Sequence, residues 1–267
     1  MNGALLLAQV SSFCEGREST TPMVMQHKAR WSLLQALLCL MLISPMAMIV
    51  WVAFQPAPFL FDHLVETVLG RYLFNTLILM VGVGALACLF GVSSAWVVSR
   101  YEFYGRSLFG WLLILPAAMP AYIIAYAYTD FLEYAGPVQT MIRSVLGVSS
   151  ARDYYFFEIR SLGGAIVMMA AVLYPYIYIM ARTAFRQSSR TLFEAAMVSG
   201  RDLFLHVGLP LARPAIIAGL ALVLMEVISD FGTVDYFAVE TLTLGIFNVW
   251  LGMNNMPAAA QLSLCAL

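Results

Sequence analysis

Charge is scarce in this chain. Only 11% of its 267 residues are Asp, Glu, Lys or Arg, against about 25% in soluble domains. The 14 basic and 15 acidic residues leave a net charge of −1, so no global basic surface for nucleic acid exists. Cysteine is sparse too. Cys14, Cys39, Cys88 and Cys265 stand far apart, with no CxxC and no Cys/His cluster, which indicates neither a structural zinc site nor a disulfide framework. No metal site is expected. Apolar residues fill the space instead: 62% of the chain is hydrophobic and the mean hydropathy is +0.84. Such a composition predicts an all-α, polytopic membrane helix bundle.

A membrane helix needs about 20 mostly apolar residues. Five stretches meet that requirement, at roughly 31–54, 72–99, 108–132, 162–184 and 212–229. A sixth begins near Pro257, and the chain stops at Leu267 inside it. About six helices are therefore expected, the last incomplete, as in a fragment or one half of a longer chain. Residues 1–30 are polar and are expected to be disordered or cytoplasmic, with the transmembrane domain over 31–267. The first apolar run is longer than the core of a signal peptide, and no small-residue cleavage site follows it.

Positive charges set orientation. With the N-terminus inside, the inner segments hold Arg17, Lys28, Arg30, Arg100, Arg106, Arg182, Arg186, Arg190, Arg201 and Arg213, while the outer ones keep Arg71, Arg143, Arg152 and Arg160. The bias predicts a cytoplasmic N-terminus. Asp62, Glu66, Glu133, Asp153 and Glu158 collect outside. Such an acidic outer face would tolerate or attract cations, but acidic loops are also common solvated surface.

The inner loop at about 182–213 is the most informative polar piece. Thr191 and Glu194 have the spacing of a capping box, which predicts a short helix starting there. Leu192, Phe193, Ala196 and Met197 give it an apolar stripe, and Gly200 suits its C-terminus. A second short segment, 202–207, leads to Leu209 and Pro210, and Pro214 is expected in the first turn of the fifth span. Physical chemistry alone allows an amphipathic helix on the inner membrane surface or a docking helix for a cytosolic partner.

"EAAMVSG" followed by "LPLARPAI" resembles the EAA loop of ABC importer permeases. Glu194, Ala195, Ala196, Gly200, Leu209 and Pro210 match that pattern. The spacer 201–208 is shorter than the family's by nearly one helical turn. "YAYTDFLEYAGPVQT", "YFFEIRSLGGA", "LYPYIYIMARTAF" and "SDFGTVDYFAVETLTLGIFNVWLGM" look like the ferric-iron branch of these permeases, across about 75–267. The resemblance implies a type I importer transmembrane domain, corresponding to the first half of a two-half permease. The implied partners are cytoplasmic ABC ATPase subunits, an external substrate-binding protein, a second permease half or copy, and the lipid bilayer of a bacterial inner membrane. The chain itself would be no enzyme and would bind no cofactor, with ATP acting through the partner. Leu192, Phe193, Glu194, Ala195, Ala196, Gly200 and Arg201 would form the ATPase-docking surface, Leu192 and Phe193 as knobs and Arg201, with Arg190, as charge partners. Ferric iron is the implied cargo; thiamine or another small solute and an ion-coupled carrier are the alternatives.

Polar side chains within spans are functional candidates by default. Glu226 and Asp230 are spaced to share one face of the fifth span, past mid-membrane, with Gly232 placed to break the helix and Asp235 in the turn beyond. These carboxylates either line a cation path or make structural hydrogen bonds and cap broken backbone. The tyrosines of "AYIIAYAYTDF" (Tyr122, Tyr126, Tyr128) and "LYPYIYIM" (Tyr174, Tyr176, Tyr178) suit iron ligation or interface anchoring. Tyr174 and Tyr178 join the three carboxylates as candidates for the path. Pro116, Pro120 and Pro175 are expected to kink their spans, and Gly82, Gly84 and Gly91 allow close helix packing.

Overall fold

A computed structural model describes residues 21–56, 60–148, 150, 153–156 and 158–265. Among these residues helices and turns form without a strand, in two compact units that divide between Gln55 and Pro56. The first unit contains one helix, α1 (Thr21–Ala53). It begins well before the apolar run does, inside the segment expected to lack structure; residues 1–20 lie outside the described ones. Leu37, Leu40, Met41, Leu42 and Ile43 are all exposed, so several sides of α1 offer apolar surface suited to hydrocarbon rather than water.

The second unit starts with α2 (Leu60–Leu64), which passes through a π-helical turn (Val65–Leu69) into α3 (Gly70–Arg100). Then follow α4 (Arg106–Leu112), a 3-10 turn (Leu115–Ala118), α5 (Ala121–Leu132), α6 (Pro137–Leu146) and α7 (Leu162–Gln187). The loop helix α8 (Arg190–Val198), a π turn (Phe204–Gly208) and α9 (Leu209–Ser229) come next. The chain continues through α10 (Phe231–Tyr236), α11 (Leu242–Phe247), a π turn (Asn248–Gly252) and α12 (Met256–Leu264). Among the described residues, four helical stretches are long and apolar enough to cross a membrane, or five if the bent pair Arg106–Ala118 and Ala121–Leu146 counts as one span.

That pair corrects the third expected span. The segment 108–132 is not one kinked helix; it folds back by 100°. The cause is local. Met119 is extended (φ −116°, ψ 141°) because the ring of Pro120 excludes the helical conformation at the residue before it. Pro120 itself has no N–H to continue a ladder. Pro175, by contrast, lies buried inside an unbroken α7.

Helix α7 is the middle of the bundle, with α3 and α9 packed against it. The approach is closest at Ile177. A Cβ on Gly91 of α3 would stand 2.9 Å from the Ile177 Cβ, and one on Gly219 of α9 would stand 2.9 Å from the Ile177 Cα. Two glycines therefore let backbones close on α7, the usual solution where lipid removes the hydrophobic drive between helices. Gly82 and Gly84 meet Ile166 and Leu220 in the same way. Ser161 caps α7, its hydroxyl accepting from the Gly164 N–H at 3.1 Å.

The fifth span also starts earlier than expected. Because α9 begins at Leu209, Pro210 takes the first turn and Pro214 lies inside the helix. The expected sixth helix is α12, with Pro257 in its first turn and the Asn255 side chain accepting from the Ala258 N–H at 3.0 Å.

Candidate functional site

The two ends of α3 orient the bundle. At its start Arg71 pairs with Glu240 at 2.8 Å, and the Asn75 amide donates to the Glu240 carbonyl at 2.9 Å. At its end the Arg100 guanidinium lies 4.4 Å from the centre of the Phe193 ring in α8. A helix rises 1.5 Å per residue, so these contacts are about 44 Å apart, and the loop helix sits at one extremity of the bundle.

The capping box does not form. Helix α8 starts at Arg190 with Ser189 as its N-cap residue and no side-chain cap hydrogen bond. The Ser189 hydroxyl instead meets the Thr191 hydroxyl at 2.6 Å. The C-terminus follows the glycine rule. Gly200 has φ +67°, its N–H reaches the Met197 carbonyl at 3.2 Å, and the Arg201 N–H reaches the Ala196 carbonyl at 3.1 Å. That pair of bonds is a complete Schellman closure. Helix α10 closes by the same pattern, with Val239 bonded back to Val234 and Ala238 to Asp235, but there a non-glycine residue, Ala238, holds φ +53°.

Phe193 is not a knob for a partner. It is 4% exposed and its ring meets Trp96 of α3 at 6.2 Å. Ala196, one turn on, is buried beside it. The outward face carries Leu192, Glu194, Ala195 and Met197, and ends in Val198, which is 90% exposed. Val198 escaped the motif reading because it falls in the variable gap between the alanines and the glycine. Gly200 and Arg201 are exposed as well. Beyond them the Asp202 carboxylate accepts from the Leu205 N–H at 2.6 Å and starts the π turn.

Trp96 is the pivot under this loop. Besides Phe193 it touches Phe185 of α7 edge-on at 5.2 Å and Phe204 of the π turn at 5.1 Å. Its ring also covers Gly208: a Cβ there would lie 2.4 Å from the ring carbon Cζ3. One indole thus touches α7, α8 and the π turn that leads into α9 from its place on α3.

Inside the bundle the candidate carboxylates separate. Helix α9 ends at Ser229 with Asp230 as its C-cap (φ −75°, ψ 100°); the Asp230 N–H still reaches the Glu226 carbonyl at 2.9 Å, but the chain leaves the helix there and the two carboxylates have different surroundings. Asp230 caps α10: its carboxylate accepts from the Thr233 N–H at 2.9 Å and from the Thr233 hydroxyl. The break falls at this cap, two residues before Gly232. Asp235 is exposed on α10. Glu226 is half-buried and lines a cavity of about 250 Å³ with Ala117, Pro120, Val172 and Tyr176. The elbow of the broken span forms one wall of that cavity. Among the described residues no group of three or more His, Cys, Asp or Glu side chains converges as a metal would require.

The tyrosines sort by helix parity. Residues two apart on a helix point to nearly opposite sides, and Tyr176, not Tyr174 or Tyr178, faces the cavity with Glu226. Tyr178 is fully buried and its hydroxyl donates to the Gly110 carbonyl at 3.3 Å. That is a packing role, which removes it from any open path. Tyr174 is half-buried against the core.

The opposite end is braced by polar contacts. Arg160 pairs with Glu133 at 2.8 Å and stacks 5.0 Å from the centre of the Tyr236 ring. Gln139 of α6 donates to the Leu132 carbonyl at 2.8 Å and accepts from the Tyr154 hydroxyl at 2.7 Å.

No protein-family model matches the chain. Over 195 residues it is 24% identical to the Fe(3+)-transport system permease protein FbpB 2 of Haemophilus influenzae, a match covering 72% of this chain and 34% of that protein. It is 30% identical over 173 residues to a probable molybdenum ABC transporter permease of Haloferax volcanii, covering 62% of this chain and 58% of that one. The chain therefore spans about a third of the iron-system relative and somewhat more than half of the molybdenum one. Among solved structures it matches the crystal structure of a bacterial alginate ABC transporter in complex with an alginate pentasaccharide-bound periplasmic protein. The TM-score is 0.68 and the identity 19%, over 93% of this chain and 92% of that one. These relatives are transport-system permeases, and the chain has the helical membrane fold of an ABC transporter permease.

Proposed function

We propose that the chain is a transmembrane permease subunit, or one half of one, of an ATP-driven importer fed by an external binding protein. The observation that carries this reading is α8: a short helix anchored inward by Phe193 and Ala196, with Leu192, Ala195 and Val198 left outward at one extremity of the bundle. A helix so mounted can receive a push from a cytoplasmic ABC ATPase and pass it through Trp96. Glu194 and Arg201 supply charge at the docking face; Gly200 sets where the helix stops. In this reading the N-terminus and α8 are cytoplasmic in a bacterial inner membrane. The chain pairs with a second half or copy and binds no cofactor of its own.

The cargo crosses beside Glu226 and Tyr176, where the elbow of the broken span opens a cavity against α7 and α9. Ferric iron is the first cargo to test, on the motif resemblance and the iron-system relative. Molybdate comes next, on the molybdenum-system relative. An ion-coupled carrier is the rival, with the half-buried Glu226, set in a mostly apolar cavity beside Tyr176, as its proton carrier. Proteoliposomes holding the chain with its second half, ATPase and binding protein decide between them. ATP-dependent, gradient-independent uptake of labelled ferric iron supports the reading. Uptake that follows a proton gradient without ATP overturns it, and ATP-dependent uptake of molybdate alone changes only the cargo.

A further inference from the structure

At the α8 end of the bundle, beside the docking helix, lies a cavity of about 470 Å³ lined by Arg106, Arg182, Arg186, Ser107, Trp111 and Ile114. Three guanidinium groups line it, and no carboxylate does. We propose that this cavity binds a phosphate-type oxyanion, carried by the headgroup of an anionic lipid or free as a tetrahedral anion.

Neither Arg182 nor Arg186 pairs with an acid among the described residues, and the one acid near Arg106 is marginal. Arg182 and Arg186 are one turn apart on α7, so two like charges share a face, an unfavourable arrangement without an anion between them. Arg182 gives one N–H to the Gly110 carbonyl at 3.2 Å, yet its Nε is buried with no hydrogen-bond partner, a deficit that buried donors rarely tolerate. Arg186 has no hydrogen-bond or ion-pair partner among the described residues. Arg106 closes the end of α3, donating to the Val98 carbonyl at 2.7 Å and the Ser99 carbonyl at 3.0 Å, and its nearest acid, Glu102, is 4.0 Å away with a 95% exposed side chain. Trp111 is 74% exposed at the same mouth. An indole at the headgroup level beside arginines matches the border of a bilayer, and basic pockets between membrane helices on the inner side hold acidic headgroups. The guanidinium fork supplies the bidentate geometry that phosphate oxygens take.

The test uses the full chain in nanodiscs of phosphatidylcholine with a minor fraction of phosphatidylglycerol, and lipid retained through delipidation is measured by native mass spectrometry. Retained phosphatidylglycerol should fall about tenfold or more in Arg186→Gln, the loss of one charge-assisted hydrogen bond. Arg186→Lys should keep most of it, and Arg213→Gln, on α9 away from the cavity, should keep all of it. Arg186 is exposed and bonded to nothing described, so its replacement leaves the fold intact. In parallel, binding of labelled inorganic phosphate and sulfate is measured in pure phosphatidylcholine discs. Arg186-dependent retention of phosphatidylglycerol assigns the site to a lipid headgroup. Arg186-dependent binding of phosphate or sulfate without lipid retention assigns it to a free oxyanion. Neither, or retention and binding indifferent to both Arg182→Gln and Arg186→Gln, overturns the proposal. The proposal does not rest on the transport reading, and its readout is independent of uptake.

Discussion

Gly208→Ala is the sharpest perturbation of the α8 linkage. The added methyl would sit 2.4 Å from Trp96 Cζ3, with two more ring carbons at 3.0 and 3.2 Å, where carbon contacts want about 3.5–4.0 Å. The indole would have to retreat by about 1 Å, but Phe185, Phe193 and Phe204 surround it with ring centres at 5.1 to 6.2 Å. Forcing an extra carbon into such a cluster costs about 1–3 kcal/mol. Replacing glycine by alanine in a helical segment returns about 1 kcal/mol. The net expectation is a loss of about 1 kcal/mol, read from reversible unfolding in mixed detergent micelles. The sign should reverse in a Trp96→Leu background, where the clash is gone and only the helical gain remains. A Gly208→Ala change with the same effect in both backgrounds would refute the linkage.

Asp230→Ala removes the cap of α10 and should cost about 0.5–2 kcal/mol in the same unfolding assay, while Asp235→Ala, on an exposed side chain, should cost nothing measurable. Glu226→Gln should leave stability unchanged but lower the initial uptake rate about tenfold, the scale of one charge-assisted contact, in proteoliposomes. Ala238→Gly should raise stability by up to about 1 kcal/mol, since an L-residue in the left-handed region costs roughly 1–2 kcal/mol and the extra chain freedom of glycine takes back part of that; thermal unfolding reads it. Gly200→Ala puts an L-residue at φ +67°, so although no atom lies within 4 Å of the added Cβ it should cost about 1 kcal/mol, fray the end of α8 and weaken ATPase stimulation.

Hydropathy and glycine spacing carry far in this chain. The runs that became α3, α7 and α9 are apolar long enough to announce themselves, and Gly91 marks where α3 closes on α7. The loop motif foretold α8 and the turn at Gly200. What escaped depends on tertiary geometry. Pro116 and Pro120 suggested kinks, yet only the forced extension at Met119 turns a kink into a fold-back. The spacing of Glu226 and Asp230 left open a cation path or a structural cap, and Asp230 spends its carboxylate on Thr233 where the helix ends. Phe193 carries the same apolar signal as Leu192; only the position of Trp96 decides that one turns inward and the other outward. Of Tyr174, Tyr176 and Tyr178, the sequence pattern could not say which faces the cavity with Glu226.

The central claim is that the outward face of α8 meets an ABC ATPase. A photo-crosslinking amino acid placed at Leu192, Phe193 or Val198 in native membranes tests it directly, with the captured product identified by its labelling with an azido-ATP analogue. Crosslinks to an ATP-binding subunit from Leu192 and Val198, and none from the buried Phe193, are the predicted result. No ATP-binding product from Leu192 and Val198, or equal yields from all three positions, would contradict it.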